Sequence, residues 1–123
     1  IIFAHSSKRR AGPNTIGKST LMVEDPSKLV GRTALMFDDM LDTGGTAIKS
    51  AEGLKKGGVS EVVLAMTHPV ASRAAFEKAQ RAMVEVDGKL VRTIDRIFVT
   101  DSLPFATRKN GFIEVIGLGE LYA

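Results

Sequence analysis

The sequence predicts an α/β fold: a mostly parallel sheet with flanking helices, in three α/β/α layers. The first observation is that short apolar, β-prone segments alternate along the chain with longer segments of helical periodicity. The second is their order. Each helical segment follows one strand and precedes another, as in the crossover connections of parallel sheets. The 123 residues, 44% of them hydrophobic, suffice for one domain with a buried core.

Six short apolar segments are predicted as strands, because they are β-prone and bounded by turn residues. They are residues 1–4, 21–23, 33–37, 62–66, 97–99 and 113–116. The first two are separated by residues 5–20, a polar, glycine-containing stretch that is predicted as a long exposed loop. A loop of that length in a compact domain is usually functional or disordered.

The first helix is predicted over residues 46–56, where apolar side chains recur on one face. Those side chains are Ile48, Ala51 and Leu54, whereas Lys49, Glu52, Lys55 and Lys56 are the polar residues of this segment. Gly57 and Gly58 follow directly, and glycine is the residue that most often ends a helix. This segment is therefore expected to be a helix that ends at the glycine pair.

A second helix is predicted from an N-cap at Ser72 to about Met83. Residues 84–93 then alternate between apolar and polar around Asp87-Gly88, a dipeptide typical of tight hairpin turns. This hairpin interrupts the strand–helix alternation, so we interpret it as an insertion into the fold.

Composition excludes several classes of protein. The chain has no cysteine, so a disulfide framework and a Cys-ligated metal site are excluded, which fits a cytoplasmic location. No apolar run approaches the ~20 residues of a membrane helix, and a net charge of +3 does not by itself indicate a nucleic-acid-binding protein. The positive charge is nevertheless concentrated in Lys8, Arg9, Arg10 and Lys18, with no acidic residue before Glu24. That basic segment is expected to attract an anion.

The most informative segment is the 38–46 motif, which joins a predicted strand to a predicted helix. Its sequence is Asp38-Asp39-Met40-Leu41-Asp42-Thr43-Gly44-Gly45-Thr46. The glycines allow close backbone approach, the helix N-terminus provides free N–H donors, and two threonines add hydroxyl donors. These groups suit a phosphate. The two leading carboxylates lie earlier in the chain, where they suit sugar hydroxyls or a cation.

The 38–46 motif resembles the phosphoribosyl-binding signature of type I phosphoribosyltransferases. Three further segments resemble the ribose-phosphate pyrophosphokinase family in particular, in the same order and at roughly the same spacing. They are Lys8-Arg9-Arg10 at the start of a long loop, Thr67-His68-Pro69-Val70 after a strand, and Val99-Thr100-Asp101-Ser102-Leu103-Pro104. The resemblance covers nearly the whole chain and implies a type I phosphoribosyltransferase fold.

The resemblance also implies a reaction, in which the anomeric hydroxyl of ribose 5-phosphate attacks the β-phosphorus of Mg-ATP and AMP leaves. It assigns ribose 5-phosphate to the 38–46 motif, a catalytic role to Lys8 and an ATP-phosphate contact to Arg10. The residues that the resemblance assigns to the sugar phosphate are Asp38, Asp39, Asp42, Thr43, Gly44, Gly45 and Thr46. Mg²⁺ is the implied cofactor, with no metal ligand assigned within this chain, and the full-length enzyme is expected to be a homo-oligomer.

Three alternatives remain open. A salvage-type phosphoribosyltransferase would use the same motif with phosphoribosyl pyrophosphate and a base, and a regulatory homologue would keep the fold without the chemistry. Residues 12–19 also match the phosphate-loop pattern of nucleotidases. That pattern should follow a strand directly and open a helix, whereas residues 20–23 are β-prone.

The chain contains only part of the family pattern. Residues 1–123 are expected to form a single phosphoribosyltransferase-like domain, and the family's N-terminal domain and an upstream Pro-Asp-x-Gly-Gly segment are not found in it. We therefore expect a fragment that binds the sugar phosphate weakly and catalyses poorly.

Overall fold

The fold was taken from a computed structural model, which describes residues 4–8, 19–23, 25–38, 45–66, 73–100 and 111–117. The elements in chain order are β1 (Ala4–Lys8), β2 (Ser19–Val23), a 3-10 helix (Pro26–Leu29), β3 (Thr33–Asp38), α1 (Gly45–Lys56), β4 (Glu61–Met66), α2 (Arg73–Arg81), β5 (Met83–Val86), β6 (Lys89–Arg92), β7 (Arg96–Thr100) and β8 (Ile113–Ile116). Within these residues no helix is long and apolar enough to cross a membrane.

A four-stranded parallel sheet of order β3-β4-β7-β8 is the centre of the fold. The mostly parallel sheet with flanking helices predicted from the alternating pattern is thus confirmed. Predicted and observed strand bounds agree to within one residue for β3, β4 and β8, and β7 is one residue longer at each end. These strands are central and apolar, and that is where sequence patterns are most informative.

The hydrophobic core lies on one face of this sheet. β4 contributes Val62, Leu64 and Met66, and β7 contributes Ile97 and Val99, which are alternate residues of their strands and therefore share a face. The helices add Ala47, Ile48, Ala51 and Leu54 from α1, and Ala75, Phe76 and Ala79 from α2. Both described helices thus pack on the same face, so the second helical layer of the predicted α/β/α arrangement is not formed by them.

Helix α1 ends at the glycine pair, as predicted. Gly58 has a positive φ of 101°, its N–H donates to the carbonyl of Lys55 at 3.0 Å, and the N–H of Val59 donates to the carbonyl of Leu54 at 3.1 Å. This pair of bonds is a Schellman motif, and the buried Val59 and Leu54 side chains provide its apolar contact. The cap fixes the direction in which the chain turns into β4.

The predicted hairpin is confirmed as β5 and β6, which pair antiparallel. Asp87 and Gly88 have φ of 50° and 76°, as a two-residue hairpin turn with two left-handed positions requires. The predicted end of the preceding helix was wrong. α2 ends at Arg81, because Met83 already pairs with Arg92 in the hairpin ladder. Ser72 lies outside the described residues.

The prediction of a loop over residues 5–20 was wrong at both ends. His5–Lys8 belong to β1, and Ser19–Thr20 belong to β2, which pairs with it antiparallel from Ala4↔Val23 to Lys8↔Ser19. The prediction failed because the pairing is non-local. Each strand gains its backbone hydrogen bonds from the other, and neither has a strong apolar pattern along its full length. Residues 9–18, between the two strands, lie outside the described residues.

Candidate functional site

The carboxyl ends of the parallel strands meet along one edge of the sheet. In the strand register Asp38 is opposite Met66, Met66 is opposite Val99, and Thr100 is opposite Ile116. Adjacent strands of a sheet are about 4.8 Å apart, so the ends of β3, β4 and β7 lie within roughly 10 Å of one another. Of the segments singled out in the sequence, the 38–46 motif begins at this edge with Asp38, residues 67–70 directly follow β4, and residues 99–104 begin with the last two residues of β7.

The 38–46 motif connects β3 to α1 across this edge. Asp38 is the last residue of β3 and is partly exposed, and Gly45 and Thr46 open α1. Each of these three residues already makes an interaction within the protein. The other predicted sugar-phosphate residues lie outside the described residues, and they are Asp39, Asp42, Thr43 and Gly44. The structure thus confirms that the motif starts at the end of a strand and ends at the start of a helix, while the roles of its residues stay predictions.

The N-terminus of α1 suits an anion. Its first turn holds no acidic residue, whereas its last turn holds Lys55 and Lys56. This distribution within the helix matches its dipole at both ends, because the basic residues lie in the last turn and none of the first-turn residues is acidic. Thr46 is exposed at this position, so its hydroxyl lies at the protein surface. A phosphate is the ligand that such a helix start favours most.

One of the two predicted catalytic residues, Lys8, lies on the β1–β2 ribbon. Lys8 is the last residue of β1 and pairs with Ser19, the first residue of β2. Arg10 lies outside the described residues. β2 packs beside α1, so the ribbon is a neighbour of the helix that the 38–46 motif opens. The structure does not test the roles of Lys8 and Arg10.

The same ribbon argues against a nucleotidase phosphate loop at residues 12–19. Such a loop opens a helix at its Lys-Ser pair. Ser19 instead begins β2, an antiparallel strand that continues to Val23. The match to the phosphate-loop pattern is therefore not supported by its structural context.

Sequence reasoning missed a buried ion pair between Lys55, at the opposite end of α1, and Asp95. Lys55 is 4% exposed, its Nζ is 2.7 Å from Oδ2 of Asp95, and it also donates to the carbonyl of Ser60 at 3.0 Å. Asp95 Oδ2 accepts the N–H of Val62 at 2.8 Å. The signal was present, because Lys55 follows Ile48 and Ala51 at positions i+7 and i+4, on the apolar stripe of the helix.

The ion pair joins the C-terminal end of α1 to the residues just before β4 and β7. It therefore anchors that end of α1 at the amino edge of the sheet. Chemically, the arrangement combines an anion-attracting helix start with a carboxylate at the adjacent strand end. Among the described residues no group of three or more His, Cys, Asp or Glu side chains is placed to hold a metal ion.

Comparisons with known proteins agree with this geometry. Residues 2–98 match the family model of the phosphoribosyl transferase domain. The structure is similar to that of phosphoribosylpyrophosphate synthetase from Mycobacterium smegmatis, with a TM-score of 0.64 and 24% sequence identity over 85% of this chain and 31% of that one. At this identity the structural likeness shows the fold.

Curated relatives are named ribose-phosphate pyrophosphokinase. The Pyrococcus furiosus protein is 28% identical over 117 residues, which are 94% of this chain and 37% of the relative. The Parasynechococcus marenigrum protein is 37% identical over 103 residues, which are 84% of this chain and 27% of the relative. The chain thus spans well under half the length of the relatives it matches. The match over residues 2–98, with the fold and the strand–motif–helix context described above, shows that the chain belongs to the phosphoribosyl transferase domain family.

Proposed function

We propose that this chain forms the ribose 5-phosphate-binding part of a ribose-phosphate pyrophosphokinase. The observation that carries the proposal is the 38–46 motif, which follows β3 at the carboxyl edge and opens α1. The curated relatives bearing that name, which match most of this chain, support the same reaction. We assign residues 1–123 to a single domain and the remaining length of the relatives to other parts of the enzyme.

The motif would hold the two ends of the sugar phosphate separately. Thr43 to Thr46 offer backbone N–H groups and hydroxyls to the 5-phosphate at the start of α1. Asp38 and Asp39 accept hydrogen bonds from the vicinal hydroxyls of the ribose, on the strand side of the turn. The carboxylates stay away from the phosphate because β3 ends before the turn begins.

The reaction transfers a pyrophosphoryl group. The anomeric oxygen of ribose 5-phosphate forms a bond to the β-phosphorus of ATP, the bond from that phosphorus to the oxygen bridging the α- and β-phosphates breaks, and AMP leaves with that oxygen. The anomeric hydroxyl releases its proton to solvent. Negative charge on the phosphoryl oxygens must be matched by cations. We assign an ammonium from Lys8, on the ribbon beside α1, and a two-pronged guanidinium from Arg10 to this role.

Magnesium enters as the Mg-ATP substrate, whose ion neutralises phosphate oxygens during transfer. We assign the ion to the nucleotide and assign no metal ligand within this chain. ATP and ribose 5-phosphate are the proposed partners. The absence of cysteine fits the reducing environment of the cytoplasm, and a homo-oligomer is proposed for the full-length enzyme.

The proposal is tested by thermal-shift titration of the 123-residue chain with ribose 5-phosphate, phosphoribosyl pyrophosphate and ATP, each with magnesium. A ligand at 100 times its dissociation constant adds about 2.7 kcal/mol to the free energy of unfolding. We expect stabilisation by ribose 5-phosphate that Asp42→Asn abolishes. The matched control is Asp87→Asn at the hairpin turn, where asparagine also tolerates a positive φ and ligand stabilisation should be unchanged.

The other outcomes separate the alternatives. Stabilisation by phosphoribosyl pyrophosphate and a base, without ribose 5-phosphate binding, would favour a salvage transferase. Stabilisation by ATP that ignores Asp42→Asn would contradict the proposed site. The isolated chain should form little AMP from ATP and ribose 5-phosphate, and robust AMP formation would overturn the assignment of residues 1–123 to one part of a larger enzyme.

A further inference from the structure

The β5–β6 hairpin has two sides that differ in burial. Its strands pair antiparallel in register, so alternate residues point to opposite sides of the ribbon. On one side Val84 is buried, and Val86 and Val91 are half-buried. On the other side every side chain is exposed. We call this second side the outer face, and its residues are Met83, Glu85, Leu90 and Arg92.

The outer face places two apolar and two charged side chains on crossed diagonals. Met83 is opposite Arg92 and Glu85 is opposite Leu90, so the four residues are the corners of a patch of roughly 5 Å by 7 Å. Met83 and Leu90, which are 47% and 68% exposed, share one diagonal. Glu85 and Arg92 share the other, and neither forms an ion pair with another described residue. The patch is therefore apolar along one diagonal and carries one charge of each sign along the other.

The hairpin lies at the amino edge of the sheet. It connects the end of α2 at Arg81 to the start of β7 at Arg96, and the N–H of Thr93 closes its base by donating to the carbonyl of Ala82 at 3.0 Å. A crossover helix carries the chain back from the carboxyl edge to the amino edge, where the next parallel strand begins. A partner on the outer face would therefore leave the 38–46 motif, at the carboxyl edge, accessible to its ligand.

We propose that the outer face is a contact between two copies of this chain, related by a two-fold axis along the Met83–Leu90 diagonal. About this axis Met83 and Leu90 each meet the same residue of the other copy. Glu85 of each copy meets Arg92 of the other, which gives two ion pairs. The strands of the two hairpins would cross at a large angle, as in orthogonally packed sheets. A two-fold contact of this kind needs a patch that is complementary to itself.

The other two-fold arrangements of the outer face are unfavourable. An axis along the strands would place Met83 against Arg92 and Glu85 against Leu90. An axis across the strands would place Met83 against Glu85 and Leu90 against Arg92. An axis along the charged diagonal would place Glu85 against Glu85 and Arg92 against Arg92. These arrangements cover charges with apolar groups or bring like charges together, and both are costly.

A second copy fits the outer face better than other occupants do. The patch carries one positive and one negative charge, so it does not select a highly charged partner such as a nucleic acid. Pairing through the free edge of β6 is opposed by Lys89 and Arg92, since charged residues keep edge strands from pairing. The contact is small beside the roughly 20–30 residues a side of stable complexes, so association should be weak and dependent on concentration.

The test is charge complementation between Glu85→Arg and Arg92→Glu, measured by sedimentation equilibrium of the 123-residue chain up to about 1 mM, where weak contacts become populated. Each substitution alone brings like charges together at both ends of the charged diagonal. Self-association should weaken by at least about tenfold in each variant. An equimolar mixture of the two variants should associate again, because each supplies the charge that the other lacks. The double variant should also recover self-association.

Lys89→Glu is the matched control, because it changes the charge as much as Arg92→Glu but lies on the opposite side of the hairpin. It should associate as the unsubstituted chain does. All these positions are exposed, so the melting temperature should change little, and stabilisation by ribose 5-phosphate should be the same in every variant. Failure of this contact would thus leave the proposed function untouched.

Three results would overturn the proposed contact. The first is a chain that stays monomeric over the whole concentration range. The second is self-association that neither Glu85→Arg nor Arg92→Glu weakens, since the copies would then meet through another surface. The third is a mixture of the two variants that associates no more than each variant alone.

Discussion

The two edges of the parallel sheet are built differently. At the amino edge, the segments that lead into β3, β4 and β7 are tied to one another by specific bonds. Ser60 donates its N–H to the carbonyl of Arg32 at 2.9 Å, and Gly31 donates to the carbonyl of Gly58 at 2.9 Å. Asp95 exchanges bonds with Val62, accepting the N–H of Val62 at 2.8 Å on its side chain and donating its own N–H to the Val62 carbonyl at 2.9 Å.

At the carboxyl edge, the sequence is instead rich in glycine, threonine and aspartate, and it is where ligand binding is proposed. We propose a division between stability and function within one sheet. The bonds above hold the strands together where they begin, and ligands of parallel α/β folds bind where the strands end. Substitutions at the amino edge should therefore change the free energy of unfolding and leave ligand affinity nearly unchanged.

The strongest test of this division is Asp95→Ala. The substitution leaves the Lys55 ammonium, whose side chain is 5% exposed, without its counter-charge, and it removes the acceptor of the Val62 N–H. Breaking a buried ion pair costs 3–5 kcal/mol, and Asp95 is 28% exposed, so we expect a loss of about 3 kcal/mol in urea unfolding. The dissociation constant for ribose 5-phosphate should change less than about threefold in the folded protein.

The Glu61–Arg96 pair is the natural control. Its atoms are 3.2 Å apart, but the side chains are 35% and 47% exposed. Glu61→Ala should cost less than about 1 kcal/mol. Equal losses from Asp95→Ala and Glu61→Ala would show that the buried pair is not a special anchor of α1. A large loss of ligand affinity at unchanged stability would contradict the division between the edges.

A smaller effect is expected from Gly58→Ala at the end of α1. A Cβ at this position would lie 2.9 Å from Cγ2 and 3.3 Å from Cα of Val30, on a backbone with a φ of 101°. Strain and crowding together should lower the free energy of unfolding by about 1–3 kcal/mol, measured by chemical denaturation.

Substitutions at two further glycines separate the contribution of backbone strain from that of side-chain crowding. Gly31 has a φ of 73° and no atom within 4 Å of an added Cβ, so Gly31→Ala reports backbone strain without crowding. Gly53 lies inside α1 with open space around it, and Gly53→Ala should stabilise the protein by about 0.5–1 kcal/mol. If Gly58→Ala were as mild as Gly31→Ala, the contact with Val30 would be unimportant.

The same comparison explains which features the sequence could predict. The central strands and α1 were predicted well because their apolar periodicity is local. The glycine pair after Lys56 and the Asp87-Gly88 turn were also predictable, because each needs a positive φ that few residues adopt. At the carboxyl edge, the placement of the 38–46 motif between β3 and α1 followed from the apolar segment before it and the helical periodicity after it.

Non-local features were beyond that reasoning. The β1–β2 pairing depends on a register between two weakly patterned segments, so Ser6 and Ser7 were assigned to a loop. Burial of Lys55 depends on Asp95, which lies far along the chain, and a lysine on a helix is exposed in most proteins. The roles of Lys8, Arg10 and Asp42 stay predictions.

A further gain is expected from Thr93→Val, in the segment between β6 and β7. Thr93 is fully buried, and its Oγ1 has no hydrogen-bond partner among the described residues. A buried polar atom without a partner costs about 1–3 kcal/mol, and valine keeps the branched shape while removing the hydroxyl. Since the methyl must fit in place of the oxygen, we expect a net gain of about 1 kcal/mol, with Thr33→Val at an exposed position as the neutral control. A loss of stability would mean that an ordered water or a backbone carbonyl accepts a hydrogen bond from the Thr93 hydroxyl, which would be one more bond at the amino edge.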